Sequence, residues 1–164
     1  ILARVARFRS PRPAAMTPSV PHIHEATPAD APGCAAILNA WIDATPWLPR
    51  IHPADDVLRH YRDVVLPRRR VWVAGTPVAG FLALDTEDRT VTALYLAADA
   101  RCAGLGARLL TLAKTASGRL GLWTFQANHG ARRFYERHRF TVTDRSDGDN
   151  EEGLPDLRYD WAAA

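Results

Sequence analysis

A glycine-containing turn in the middle of the chain has the residue types of an anion-binding site. Residues 101–107 read Arg-Cys-Ala-Gly-Leu-Gly-Ala and precede a helix-forming apolar run at residues 108–113. Gly104 and Gly106 permit a tight turn, and the first amides of the helix then lack acceptors and can bind a phosphate or pyrophosphate. The third glycine of GxGxxG and the Gly-Lys-Ser/Thr of a P-loop are missing, so neither of these nucleotide-binding patterns is present.

The pattern on both sides of this turn predicts one mixed α/β domain. Alternating or apolar β-type runs predict strands at residues 22–26, 71–75, 78–84, 90–97, 120–126, 140–143 and 157–161. Helical spacing predicts helices after a Thr27 cap, at 54–66, at 108–113 and at 128–138. We therefore expect an α/β (α+β) fold with a mixed, mostly antiparallel central sheet of about six to seven strands, flanked by about four helices. One parallel strand pair is expected where a helix links two strands.

Length and composition indicate a single soluble domain. The chain has 164 residues, 47% of them hydrophobic, which is enough for one core of ordinary size. It contains no run of roughly 18 to 20 apolar residues, so we expect no membrane partner. Cys34 and Cys102 are far apart and lack zinc-ligand spacing. We therefore expect neither a disulfide nor a metal, and a reducing, cytoplasmic setting.

The net charge of +3 comes from one short segment. Residues 1–15 carry four arginines and no acidic residue, and the remainder of the chain has 17 basic and 18 acidic side chains. The simplest interpretation of residues 1–15 is a basic leader outside the fold, either an over-extended start or a transit-like peptide or arm. Residues 16–164 would then form the domain. Because the excess charge is confined to the leader, we expect no nucleic-acid partner.

Together, the turn and its flanking elements resemble the GNAT superfamily of acyl-CoA-dependent N-acetyltransferases. The match includes the Arg101–Gly106 turn, the preceding strand Leu94–Leu96, the strand ending at Gln126–Asn128, and the following helix with Ala131, Phe134, Tyr135 and Phe140 at family spacing. The resemblance spans roughly residues 22–161. Cys102 and Arg139 stand where the family commonly has glycine, so local turn geometry is where this chain departs from the pattern.

The resemblance implies a GNAT fold, acetyl-CoA as co-substrate without a metal, and acetyl transfer to a primary amine in a ternary complex. The residues that it places at the cofactor are Leu94, Tyr95, Leu96, Arg101, Cys102, Ala103, Gly104, Leu105, Gly106, Ala107, Asn128 and Arg132. Of these, Asn128 could instead cap the next helix, and Arg132 could lie on a solvated helix face. Tyr135 is expected to protonate the departing CoA thiolate, with core packing as the alternative.

The general base is the least determined part of this site. An amine acceptor is protonated at neutral pH and must lose a proton before it attacks the thioester. The candidates are Glu151 and Glu152, in the acidic segment 147–156, where the family often has an acceptor-side loop. A solvated acidic loop is the simpler interpretation of that segment. The rival candidates are Asp85, Glu87 and His52.

Three segments are similar to those of a narrower group of bacterial GNAT members. They are TPWxPRxH at Thr45–His52, LWTFQANxxARRFYER at Leu122–Arg137, and NEExxPDxxYxW at Asn150–Trp161. The first and third fall where the family shapes its acceptor pocket. This makes substrate candidates of the two glutamates and of Trp47, Arg50, His52 and Asp156. Such a mixed aromatic, cationic and acidic lining would suit a small polar amine, zwitterions included.

Two other functions are compatible with the same resemblance. The acceptor could be a protein N-terminus or a lysine side chain, although the bulky loop around Trp47 disfavours a long groove. The chain could also be a non-catalytic acyl-CoA sensor or interaction module. Dimers are common in the family, so the resemblance leaves a homodimer open.

Overall fold

The computed structural model describes residues 20–164, so the leader expected at residues 1–15 lies outside the described residues. Within residues 20–164 the strands are β1 Ile23–Glu25, β2 Arg70–Ala74, β3 Gly80–Asp85, β4 Thr90–Leu96, β5 Arg119–Phe125, β6 Thr141–Ser146 and β7 Asp156–Ala162. The helices are α1 Ala31–Asp43, α2 Ala54–His60, α3 Leu105–Ser117 and α4 His129–Arg137. α2 continues through a π-helical turn at Tyr61–Val65 and a last turn at Leu66–Arg68. No helix in this part of the chain is long and apolar enough to span a bilayer.

The sheet has seven strands in the order β1-β2-β3-β4-β5-β7-β6, and β4 and β5 form its parallel pair. The other neighbours are antiparallel, so the predicted mixed, mostly antiparallel sheet with four helices is confirmed. The pair is parallel because α3 carries the chain from the end of β4 back to the start of β5. β4 and β5 are in register at Thr90 and Gly121 alone. They diverge beyond that point, which leaves the second half of β4 with an open edge.

β4 carries a β-bulge at Thr92. Ala83 of β3 pairs with Ala93 and the next residue of β3 pairs with Val91, so Thr92 has no partner on β3. Its hydroxyl donates to Ala83 O at 3.3 Å. The extra residue changes which face of the sheet the following side chains occupy. Val91 packs in the core that includes α3, whereas Ala93 and Tyr95 pack in the core that includes α1.

Backbone groups of β4 are available at the open edge. Ala97 N donates to Ala79 O at 2.9 Å, which continues the ladder between β3 and β4. In an antiparallel ladder these bonds use every second residue, so the amides and carbonyls of Leu94 and Leu96 point away from β3. They face the space from which β5 has diverged.

Two hydrophobic clusters lie on opposite faces of the sheet. One joins Trp72 and Leu82 to Leu109 of α3, and the other joins Phe81 to Cys34 of α1. Successive strand residues point to opposite faces, which accounts for the division. Full burial of a side chain such as Phe81 contributes about 2 to 3 kcal/mol. α1 and α2 are thereby fixed on one face of the sheet and α3 on the other.

Helix boundaries follow local capping. Thr27 N donates to Asp30 Oδ2 at 2.8 Å, so the predicted cap before the first helical segment is confirmed. α3 extends to Ser117, well beyond the apolar run at 108–113, and Gly118 ends it with φ 68°. The apolar run gives the buried face of a helix, whereas the glycine that can adopt positive φ determines where it stops.

Candidate active site

A first cavity, of about 600 Å³, lies between the open edge of β4 and the helices α3 and α4. Ten of the twelve residues expected at a cofactor line it, namely Leu94, Tyr95, Leu96, Arg101, Cys102, Gly104, Leu105, Gly106, Ala107 and Asn128. The structure does not bring Ala103 and Arg132 to its lining. One continuous cavity thus collects the strand, the glycine turn and the start of α4.

The glycine turn forms one end of the first cavity. Gly104 has φ 75° and immediately precedes α3, and Arg108 N bonds back to Gly104 O at 3.1 Å. The amides of Leu105, Gly106 and Ala107 precede this first intrahelical bond and are free to face a ligand. Together with the positive end of the helix dipole, they form an anion-binding site.

Two residues adopt left-handed backbone where the family commonly has glycine. Cys102 has φ 64° within the turn, and Arg139, just before Phe140, has φ 65°. A side chain with a Cβ makes this conformation costly, on the order of 1 kcal/mol. Gly106 shows a different constraint, because a Cβ there would lie 3.4 Å from Phe134 Cζ of α4. A larger side chain at that position would enter the space between α3 and α4.

Cationic and titratable side chains lie along the first cavity. Arg101 Nε donates to the outward carbonyl of Leu96 at 3.4 Å, and Arg137 and His138 also line this cavity. Burial lowers the pKa of His138, with smaller contributions from Lys114 and Arg137. Sequence reasoning missed Arg137 and His138. They follow Phe134 by three and four residues, so helical spacing alone would have placed them on the same face of α4.

Tyr135 belongs both to the core and to the first cavity. Its side chain is 8% exposed, and its ring lies 5.3, 5.6 and 6.3 Å from the rings of Phe134, Phe140 and Tyr159. Burial raises its pKa well above that of an ordinary phenol, with a smaller contribution from Tyr95. The hydroxyl therefore keeps its proton at neutral pH and can act as a hydrogen-bond donor.

Asn128 and Arg132 are held near the end of β5. Asn128 Oδ1 accepts from Ala131 N at 3.1 Å, so Asn128 caps α4 and also lines the first cavity. Arg132 Nη1 donates to Gln126 O at 3.2 Å. Its buried Nε has no hydrogen-bond partner within residues 20–164. The guanidinium of Arg132 thus serves the end of β5 rather than the cavity.

A second cavity, of about 510 Å³, adjoins the first. Its walls are mostly apolar and come from α1, the loop after α1, α2 and Phe125 at the end of β5. Trp41 and Tyr95 line both cavities. The two spaces therefore meet beside the open edge of β4.

Three of the six residues expected at the acceptor line this second cavity: His52, Glu151 and Glu152. His52 Nε2 and Glu151 Oε2 are 3.2 Å apart, and the two side chains are 54% and 72% exposed, so they lie at the rim. Glu152 is half-buried and forms no ion pair or side-chain hydrogen bond within residues 20–164. Burial, with a smaller contribution from the charge of Glu152, raises the pKa of Tyr95 to about 12.

Trp47 and Arg50 lie behind the wall of the second cavity. The Trp47 ring packs edge-on against Trp41 and Phe125, with centroid separations of 6.1 and 5.7 Å. Arg50 Nε donates to Asp43 Oδ1 at 3.1 Å, and Arg50 is not part of the lining. The two residues support the loop after α1. This differs from the predicted lining, which included the cation of Arg50, because Asp43 at the end of α1 already pairs with it.

Asp156 is buried beneath the acidic segment. It is 8% exposed, and its Oδ2 accepts from Asn150 Nδ2 at 3.1 Å. Asn150 Nδ2 also donates to Leu154 O at 2.8 Å. Asp156 does not line the second cavity and instead fastens the turn that carries Glu151 and Glu152.

The rival bases in the β3–β4 hairpin are distant from both cavities. Asp85 is buried, accepts from Glu87 N at 3.0 Å and pairs with Arg69 at 2.5 Å. Neither Asp85 nor Glu87 lines a cavity. They lie at the Thr90 end of β4, whereas the cavities meet near its Leu96 end. Asp85 thus has a structural role in closing the hairpin.

Comparison with known proteins agrees with this geometry. Residues 67–142 match the family model described as Acetyltransferase (GNAT) domain. This segment contains nearly all of the first cavity and, of the second, only Tyr95 and Phe125. No curated protein sequence matches the chain significantly.

Solved structures with the same fold are numerous. The apo form of YjaB from Escherichia coli is 26% identical, covers 87% of this chain and 98% of its own, and has a TM-score of 0.70. yncA from Salmonella typhimurium, solved with its cofactor acetyl-CoA, is 22% identical, with 87% and 93% coverage and a TM-score of 0.65. Ribosomal-protein-alanine N-acetyltransferase from Brucella melitensis is 19% identical, with 87% and 99% coverage and a TM-score of 0.64. The chain has the GNAT fold, and the domain match at residues 67–142, together with the acetyltransferases among the structures of this fold, supports an enzyme of the N-acetyltransferase class.

Proposed function

We propose that this chain transfers the acetyl group of acetyl-CoA to a primary amine of a small molecule, by direct attack in a ternary complex. The observation that supports this most is the meeting of two cavities at Trp41 and Tyr95. A thioester in the first cavity and an amine in the second could react there without a covalent enzyme intermediate. The acetyl-CoA in the yncA structure, which has the same fold, supports the choice of co-substrate.

The first cavity has the groups that CoA requires. The free amides at residues 105–107 and the guanidinium of Arg101 suit a pyrophosphate. The outward amide and carbonyl of Leu94 and the outward amide of Leu96 suit the amides of pantetheine, which can pair with an open edge as an added strand would. Arg137 supplies a further cation for a phosphate. Recognition of the cofactor would therefore rest largely on backbone atoms.

We assign proton removal to Glu152. The amine must lose a proton before it attacks, because an ammonium group has no lone pair. Glu152 is half-buried, unpaired within residues 20–164, and close enough to Tyr95 to affect its pKa. It can take the proton directly or through one water. Glu151 is more exposed and shares its charge with His52, so we place it at the rim instead.

Attack forms the carbon–nitrogen bond and puts negative charge on the thioester oxygen. A backbone amide at the open edge of β4 can stabilise that charge. Collapse of the intermediate breaks the carbon–sulfur bond and releases CoA as a thiolate. Tyr135 retains its proton at neutral pH and can donate it to the sulfur. Of the two protons that the nitrogen loses overall, one reaches solvent through Glu152, and the other replaces the proton that Tyr135 gives to the sulfur.

A protein N-terminus or lysine is the second candidate acceptor. It is suggested by the likeness in fold to the ribosomal-protein-alanine N-acetyltransferase. However, the His52–Glu151 contact joins the loop after α1 to the acidic segment at the rim of the second cavity. This contact leaves less room for a polypeptide, so we rank a small molecule first.

Thiol release tests the proposal. The full chain is incubated with acetyl-CoA and, separately, a panel of small primary amines, a peptide with a free N-terminus, or no acceptor, and product masses are measured. An acetylated small amine with equal thiol release is the expected result. Acetylation of the peptide alone would move the assignment to the second candidate. Saturable acetyl-CoA binding without thiol release under any condition would overturn transfer and leave an acyl-CoA sensor.

A further inference from the structure

The second cavity has the walls of a site for cations with apolar bodies. Four aromatic side chains line it: Trp41, Tyr61, Tyr95 and Phe125. The remaining walls are largely aliphatic. Aromatic faces attract ammonium groups as well as hydrocarbon chains, because the ring face carries partial negative charge.

The charged groups of the same cavity are acidic. Its described lining includes the carboxylates of Asp56, Glu151 and Glu152 and the imidazoles of His52 and His60, and none of these lining residues is Lys or Arg. Asp56 also pairs with the exposed Arg59, and Glu151 contacts His52. The charge of Glu152 is uncompensated within residues 20–164. The cavity therefore presents a net negative charge to its contents.

Arg50 is adjacent in sequence to lining residues but forms hydrogen bonds outside the second cavity. Arg50 lies between the lining residues Pro49 and Ile51, yet its guanidinium donates to Asp43 Oδ1 at 3.1 Å and to Asn39 Oδ1 at 2.9 Å. It therefore does not offer a partner to a ligand carboxylate. A carboxylate inside the cavity would lose water and meet like charges, which is unfavourable.

We propose, building on the acetyl transfer proposed above, that the acceptor is a cationic amine with an apolar body, a second positive charge and no carboxylate. The reacting amine lies beside Glu152 and Tyr95, where the cavities meet. The apolar chain lies on Trp41 and Phe125. The second positive group reaches the rim at Glu151, whose side chain is 72% exposed.

Binding of three matched ligands tests this class without requiring turnover. Pentamethylenediamine, pentylamine and ε-aminocaproate share a five-carbon spacer and differ in the far end, which is an ammonium, a methyl or a carboxylate. Dissociation constants are measured by calorimetry on the full chain saturated with CoA, at about pH 8, where histidines are ordinarily neutral. We expect the diamine to bind about 5-fold more tightly than pentylamine, and ε-aminocaproate about 10-fold more weakly.

Two variants that each remove one negative charge show whether the preference for the diamine arises at Glu151. Glu151→Gln should reduce the preference for the diamine over pentylamine to less than about 2-fold, because the rim charge is lost. Glu87→Gln removes an exposed carboxylate outside both cavities and should leave that preference unchanged. Equal or tighter binding of ε-aminocaproate relative to pentylamine would overturn the proposal, and so would the absence of binding by all three ligands.

Thiol release from acetyl-CoA with the same three ligands separates this inference from the function on which it rests. If the ligands bind in the expected order but none releases thiol, acetyl transfer to small amines fails and the ligand class stands. If thiol is released fastest with ε-aminocaproate, acetyl transfer stands and the ligand class is overturned.

Discussion

The two cavities are built in different ways. The first comes from one stretch of chain, residues 94–138, apart from Trp41, and much of what it offers a ligand is backbone: the amides at the start of α3 and the open edge of β4. The second is assembled from side chains of α1, the following loop, α2 and the acidic segment, with His52 and Glu151 separated by 99 positions in sequence.

This difference explains what a family comparison can and cannot say. Backbone amides are common to nearly all residue types, so a site made of them depends on a short pattern of turn-forming residues. The GNAT domain match at residues 67–142 includes that pattern and ends before the acidic segment. The second cavity lies almost entirely outside the match, and each of its loops contributes only a few side chains. The domain match therefore bears on the first cavity, whereas the second has to be interpreted from the side chains that line it.

The largest expected effect would come from Glu152, the half-buried carboxylate of the second cavity. Glu152→Gln should lower kcat about 10²-fold, because the ammonium loses its proton acceptor, and leave the Kd for acetyl-CoA unchanged. Glu151→Gln, one residue away at the rim, should lower kcat by less than about 3-fold. Both are measured by steady-state kinetics and calorimetry. If the two variants lose kcat equally, Glu152 and Glu151 do not have the different roles assigned to them.

The second-largest effect is expected for acetyl-CoA binding in the first cavity. Gly106→Val should weaken acetyl-CoA binding by about 30-fold, since the side chain enters the space beside Phe134 and keeps the ligand from the α3 amides. Leu112→Val places the same β-branched residue on an exposed part of α3 and should leave the Kd unchanged. A folded Gly106→Val protein that binds acetyl-CoA like the wild type would show that these amides do not hold the cofactor.

Removal of the Tyr135 hydroxyl should have a smaller effect on kcat. Tyr135→Phe is expected to lower kcat about 10-fold, because water replaces the phenol as proton donor to the thiolate, while the Kd for acetyl-CoA stays the same. Tyr159→Phe is the control, since its hydroxyl donates to Glu136 at 2.8 Å outside both cavities. Its loss should cost about 1 kcal/mol of stability and no turnover. Full activity in Tyr135→Phe would assign the proton to water.

The smallest effect should be on stability alone. Cys102→Gly should raise the free energy of unfolding by about 0.5 kcal/mol, because glycine adopts φ 64° without steric cost but loses more entropy on folding. Cys102→Ala retains a Cβ and should give no gain. Urea denaturation compares the three proteins. If the alanine variant gains as much as the glycine variant, the left-handed backbone is not the cause.

Much of the fold could be predicted because its signals are local. The Thr27 cap, the alternating strands and the helix that makes β4 and β5 parallel each depend on neighbouring residues. The ten residues that line the first cavity were predicted through the family resemblance, which itself rests on short continuous segments. Arg132 is an exception, because an arginine on a helix surface can face either a ligand or the end of the preceding strand. Here its guanidinium donates to Gln126 O, just after β5.

The acceptor side could be predicted only in outline. The segments were identified, but residue type does not say whether Arg50 faces a ligand or Asp43, or whether Asp156 is exposed or buried under Asn150. Those choices depend on contacts between elements that are remote in sequence. The π-helical turn at Tyr61–Val65 had no local signal that we could identify.

The extra residue Thr92 reverses the alternation of β4 side chains between the two faces of the sheet. Upstream of it, Val91 faces the α3 side of the sheet, and downstream Tyr95 faces the α1 side. If the same residues paired in a regular ladder, with Thr92 opposite Ala83, Leu94 instead of Tyr95 would lie opposite Phe81 on the α1 side of the sheet. The bulge, and not composition alone, therefore decides which side chain of β4 reaches the meeting point of the cavities.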